Sequence, residues 1–207
     1  MKFSIYSILA AACLAFQVQA GAEQNAVWKG VYSSDFDSVQ VLNETTGTLS
    51  GNVYVAPLDL SQIEVIERHS AKSLGSKAWT LTDEEKKGLQ TMYTKAYRAQ
   101  FDSVDTLQLV DDEASADIVV KTVVERIYPL APKDEMGSRD PWTYYFSNGS
   151  GSMTVRFYIS TKDGTHYDIS DRDDAGSLWQ RNNRHTNMMN INRLFTRWAS
   201  DIKHLLS

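Results

Sequence analysis

The stretch Ser152–Asp171, S-M-T-V-R-F-Y-I-S-T-K-D-G-T-H-Y-D-I-S-D, limits the possible folds of this chain more than any other. Met153, Val155, Phe157 and Ile159 alternate with Thr154, Arg156, Tyr158 and Ser160. That is the period of a strand with one buried face. Lys162-Asp163-Gly164 breaks the run, and two hairpin loops fit there: a two-residue Asp-Gly turn, or a three-residue loop with Gly164 in the left-handed region. The apolar pattern selects the longer loop. It sets Ile159 opposite Tyr167 and Phe157 opposite Ile169, so that Val155, Phe157, Ile159, Tyr167 and Ile169 share one face. Arg156, Tyr158, Ser160, His166, Asp168 and Ser170 share the other. The shorter loop sets Ile159 against Asp168 and mixes the faces, and a slip of one residue turns every side chain over.

The N-terminus has the form of a secretory signal. Lys2 precedes an apolar run from Phe3 to Phe16, and Val18-Gln19-Ala20 offers small or compact residues where a signal peptidase reads. Residues 1–20 are therefore assigned to a signal peptide cleaved after Ala20, and residues 21–207 to a single α/β domain with an extended N-terminal arm. The run is too short for a spanning helix of roughly 20 residues. Cys13, after Ala10-Ala11-Ala12, offers an alternative as the lipid-bearing residue of an outer-membrane lipoprotein. It lacks a Leu three residues before it and would leave a very short leader. As the sole cysteine of the chain, it leaves the mature protein with no disulfide to form. A formal net charge of −5 without a basic block argues against nucleic acid as a partner. No second apolar stretch of spanning length follows, so no transmembrane segment is expected in the mature chain.

Further elements follow from local signals. Val27–Tyr32 reads as a short strand or extended arm, and Asn43–Asn52 as a loop. Val53–Ala56 and Ile63–Ile66 read as short strands flanking Pro57. Thr82-Asp83-Glu84-Glu85 is a capping box opening a helix that runs to about Phe101, with Leu89, Met92, Tyr93, Ala96 and Tyr97 on its apolar stripe. Gly88 in that helix marks a place where another element comes close. Thr106–Val110 is a short strand, and Asp117–Tyr128 a long one. On the long strand Ile118, Val120, Thr122 and Val124 form one face, and Val119, Lys121, Val123, Glu125 and Ile127 the other. Asp171–Asn187 is polar and loop-like. Asn187 is placed as the cap of a last helix, Met188–Leu206, with Ile191, Leu194, Phe195, Trp198, Ile202 and Leu205 on its apolar stripe. The expected fold is α/β (α+β): a mainly antiparallel sheet with two amphipathic helices packed on one face.

Several of these segments, taken in order, resemble a known family. They are Val53–Leu60 followed by Ile63–Val65, the helix end Tyr97–Phe101, Ala116–Val120 opening the long strand, the strands around Asp163-Gly164, Trp179, and the helix holding Phe195-Thr196-Arg197-Trp198-Ala199. The family consists of small exported bacterial envelope proteins, many of them lipoproteins, built on a domain of unknown function. The resemblance implies an envelope location and supplies no activity and no catalytic residues.

Four groups of residues are candidates for chemistry. Ser160, His166 and Asp168 share the polar face of the hairpin and hold the residue types of a hydrolase: nucleophile, base and orienting carboxylate. No strained elbow and no Gly-rich oxyanion loop accompany them. Asp171 and Asp173, with Gly176, begin like a calcium loop, but Ala175 and Asn182 stand where ligands belong, so no metal is expected. The histidines have no zinc spacing. Trp142, Tyr144 and Tyr145 are candidates for an exposed binding patch, since such rings carry large contact area on few rotors. No cofactor is expected. The sequence points to an exported, periplasmic or secreted protein that binds an envelope protein or cell-wall component. A hydrolase on the hairpin and a calcium-dependent binding module are the alternatives.

Overall fold

A computed structural model describes residues 29–31, 35–42, 49–66, 80–102, 105–129, 146–147, 151–176, 180–181 and 184–207. The strands are β1 (Lys29–Val31), β2 (Ser38–Leu42), β3 (Gly51–Val55), β4 (Glu64–Val65), β5 (Leu107–Val110), β6 (Ile118–Pro129), β7 (Phe146–Ser147), β8 (Gly151–Thr161), β9 (His166–Ala175) and β10 (Gln180–Arg181). The helices are α1 (Asp83–Phe101) and α2 (Arg184–Leu206). Eight strands form one sheet in the order β1-β2-β9-β8-β6-β3-β5, with β4 also paired to β6; β7 and β10 pair separately.

The hairpin β8–β9 has the register its apolar pattern requires: Ile159 faces Tyr167, Phe157 faces Ile169 and Ser160 faces His166. The loop has three residues, closed by the Thr161 amide donating to the Thr165 carbonyl at 3.0 Å. Gly164 sits at φ +90°, where a side chain would be strained. Phe157, fully buried, lies at the middle of the core. Its ring meets Phe36 edge-on at 6.0 Å and Trp198 at 6.2 Å. From Trp198 the ring contacts pass through Phe195 and Tyr93 to Tyr97 and Phe101, joining the sheet to both helices.

The fold class is as expected, α+β with the helices on one face, but the sheet is mixed. Strands β1, β2, β9, β8 and β6 are antiparallel neighbours, whereas β3 runs parallel to both β5 and β6, and β4 parallel to β6. Helix α1 is the crossover that a parallel β3–β5 pair needs. It begins where the capping box places it: the Thr82 hydroxyl accepts from the Glu85 amide at 3.2 Å, and Glu85 accepts from the Thr82 amide at 2.8 Å. A Cβ on Gly88 would stand 3.7 Å from Met188, an ordinary contact with α2, so the close neighbour exists without demanding glycine.

One strand has no counterpart in the sequence reading, and several local expectations need correction. Residues 38–42, S-V-Q-V-L, form strand β2, with Val39 and Val41 buried against the core; their alternation is too short to stand out from the polar sequence around it. Asp171–Asn187 is not a continuous loop: β9 runs on to Ala175, and α2 begins at Arg184. Asn187 therefore lies inside α2 rather than at its cap, and the buried residue at the far end of the stripe is Leu206, with Leu205 only partly covered. On β6 a bulge between Val124 and Arg126 shifts the alternation by one, which carries Ile127 to the core face opposite Met153.

Candidate functional site

With both helices on one side, the second face of the sheet carries the polar half of the hairpin. Successive rungs across β9, β8 and β6 set His166 beside Ser160 and Val119, then Asp168 beside Tyr158 and Lys121, then Ser170 beside Arg156 and Val123. Tyr158 is 42% exposed, large for an aromatic ring in the middle of a sheet. Arg156 fixes this face. Its Nε and Nη2 each donate to Asp168 at 2.7 Å, a bidentate pair, and its guanidinium stands 5.4 Å from the centre of the Tyr158 ring. Glu125 approaches Arg156 from β6 at 3.8 Å. The hydrogen bonds to Asp168 come first among the causes that hold Arg156 above its ordinary pKa.

The face continues into a cleft of about 440 Å³ lined by Asp59, Gln62, Glu64, Val123, Glu125, Arg126 and Tyr158. Its outer wall is the segment after β3. That segment follows β6 in parallel, touching it at Asp59 beside Val123 and again through β4, where Glu64 pairs with Arg126 along the ladder. Glu64 also accepts a hydrogen bond from Arg126 Nε at 3.3 Å. Asp59 turns back on its own backbone and accepts from the Ser61 amide at 2.8 Å. Hydrogen bonds from Ser61, side chain first and then backbone, hold the Asp59 carboxyl below the usual carboxylate range. The cleft therefore presents three carboxylates, an amide, one guanidinium and a tyrosine ring. These can hold polar, hydroxyl-bearing or cationic groups of a partner laid along the sheet.

The residues singled out from sequence fall in three places. Ser160 and His166 face each other on the open face, and Asp168, two residues further along β9, is bound by Arg156. Asp171 and Asp173 lie on the opposite side, toward α2. Asp171 is buried, receiving Trp198 Nε1 at 2.6 Å and the Asp37 amide at 3.1 Å, and Asp173 pairs with Arg197. Trp142, Tyr144 and Tyr145 lie outside the described residues. Among the described residues no group of three or more Asp, Glu, His or Cys side chains is arranged to hold a metal ion. The cleft residues Asp59, Gln62, Glu64 and Arg126 were not singled out from sequence. They meet only through parallel pairing of segments about sixty residues apart, which leaves no local pattern. The one signal was the partly polar face of β6, with Lys121 and Glu125 where a covered strand would carry apolar residues.

These features define an α+β protein with one helical layer and an open, polar sheet face. No protein-family model matches the chain, and no curated protein matches it. Similar solved structures include the PelC dodecamer from Paraburkholderia phytofirmans, 11% identical, covering 78% of this chain and 96% of that one at a TM-score of 0.35. A DUF330-family protein from Xanthomonas campestris is 10% identical, covering 77% and 86% at a TM-score of 0.40. A DUF4136-family protein from Bacteroides thetaiotaomicron is 14% identical, covering 86% and 98% at a TM-score of 0.32.

Proposed function

We propose that the protein is an exported component of the cell envelope that acts by binding, with a partner protein or cell-wall component laid on the open face of the sheet. The observation that carries this reading is the cleft beside Tyr158: a concave, polar, uncovered surface of the size that ligand sites occupy, with an exposed ring at its rim. The leader over residues 1–20 supports export. Binding is preferred to hydrolysis because Asp168 is bound on both oxygens by Arg156 rather than orienting His166, and the sequence sets no Gly-rich oxyanion loop beside Ser160.

Two variants separate the readings. Tyr158→Ser removes an exposed ring and should abolish capture of the partner, identified by crosslinking in intact cells and mass spectrometry, with the melting temperature unchanged. His166→Ala should leave that capture intact. Ester, peptide or glycan hydrolysis by the purified protein that disappears in His166→Ala would replace binding with catalysis as the function of this face.

A further inference from the structure

The row of residues that supplies Glu64 and Arg126 to the cleft continues across the open face. Pairing of β4, β6, β8 and β9 sets Glu64, Arg126, Thr154 and Arg172 side by side on successive strands. Arg126 belongs to this row because of the bulge in β6; unbroken alternation from Val124 would turn it toward the core. Thr154, between the two arginines, is only 9% exposed, and its hydroxyl has no hydrogen-bond partner among the described residues. A hydroxyl withdrawn from water and left unpaired is a cost that a ligand oxygen can offset.

Arg172 differs from the other two arginines of this face. Arg126 is bonded to Glu64, and Arg156 to Asp168 with Glu125 close by. Among the described residues no carboxylate lies within ion-pair distance of Arg172, although Asp174 stands exposed two residues further along β9. The exposed Arg172 side chain instead reaches over β8. Its guanidinium stands 4.6 Å from the centre of the Tyr128 ring, and its Nε and Nη2 donate to Ser152 Oγ at 3.4 and 3.2 Å. A ring and a hydroxyl orient the cation without cancelling its charge. These bonds leave Nη1 to donate elsewhere.

We propose that Arg172, with Thr154 beside it, receives an acidic side chain of a protein partner. The inference rests on the binding reading of the open face and adds the charge of one group the partner brings. Charge balance selects a carboxylate. Arg126 and Arg156 are answered by carboxylates of this chain, so this part of the face holds one unanswered positive charge and suits a monoanion. A guanidinium edge matches the planar pair of oxygens that a carboxylate offers. The same face carries the acidic cleft, so its occupant has groups of both signs, as a protein surface does.

Carbodiimide coupling in cells that export the full chain tests this, because it condenses a carboxylate with an amine in contact with it, the reagent taking up the water. Arg172→Lys keeps the charge and supplies the amine. It should give an adduct absent from the unaltered chain, with the new amide mapped by mass spectrometry to an Asp or Glu of the protein captured by a photoreactive residue at position 158. Arg172→Gln keeps a donor for Ser152 and loses the charge; it should lower capture from position 158 by about fivefold, whereas Arg172→Lys should keep most of it. Unchanged capture in Arg172→Gln, or no amide from Arg172→Lys, would overturn the inference and leave the open-face reading standing. An amide to a cell-wall peptide would overturn the choice of a protein partner. No capture from position 158 in a chain that keeps Arg172 would remove the open-face reading and this inference with it.

Discussion

Phe157 shows how a single side chain decides the register of a sheet. It is fully buried, with Phe36 and Trp198 edge-on against its ring. Phe157→Ala should destabilise the protein by about 3–5 kcal/mol, because the surrounding rings cannot close over the lost volume. Ser160→Ala, three positions along on the open face, should change stability little. Chemical denaturation of both variants checks the pair, and the reverse order would mean that the hairpin faces are exchanged. At this scale the sequence was most legible where apolar and polar residues alternate without interruption. It was least legible at Asp171 and Asp173. A run of aspartates reads as a solvated turn, yet here alternate members of a strand are buried or half-buried and bound by Trp198 and Arg197.

Elements with their own punctuation were legible from end to end. Helix α1 starts at its capping box and ends at Phe101 because the cap, the acidic first turn and the apolar stripe all agree. Thr82→Ala should cost about 1 kcal/mol, measured by thermal or denaturant unfolding; no loss would mean that tertiary packing alone sets the start of α1. Elements defined by distant partners were not legible in the same way. The three parallel pairings join β3 to β5, β3 to β6 and β4 to β6, and nothing local to these short strands announces their direction. The same holds for the bulge in β6, which becomes visible only when Arg126 is paired with Thr154 and Ile127 with Met153. The cleft is made by these two features together, which is why its residues escaped a reading based on local pattern.

For the molecule as a whole, the division of faces is the fact that bears on function. The two helices and the buried aromatic rings cover one side of the sheet. The other side keeps Arg156, Asp168, Tyr158 and the acidic cleft in reach of solvent. Among the described residues no helix is long and apolar enough to cross a membrane. Site-specific photocrosslinking in intact cells tests the open face most directly. A photoreactive residue is placed at Tyr158, and a second copy of the experiment places it at Lys87, exposed on α1. The account predicts a discrete adduct from position 158 and none from position 87. Adducts from position 87 alone, or none from position 158 in cells that export the protein, would contradict it.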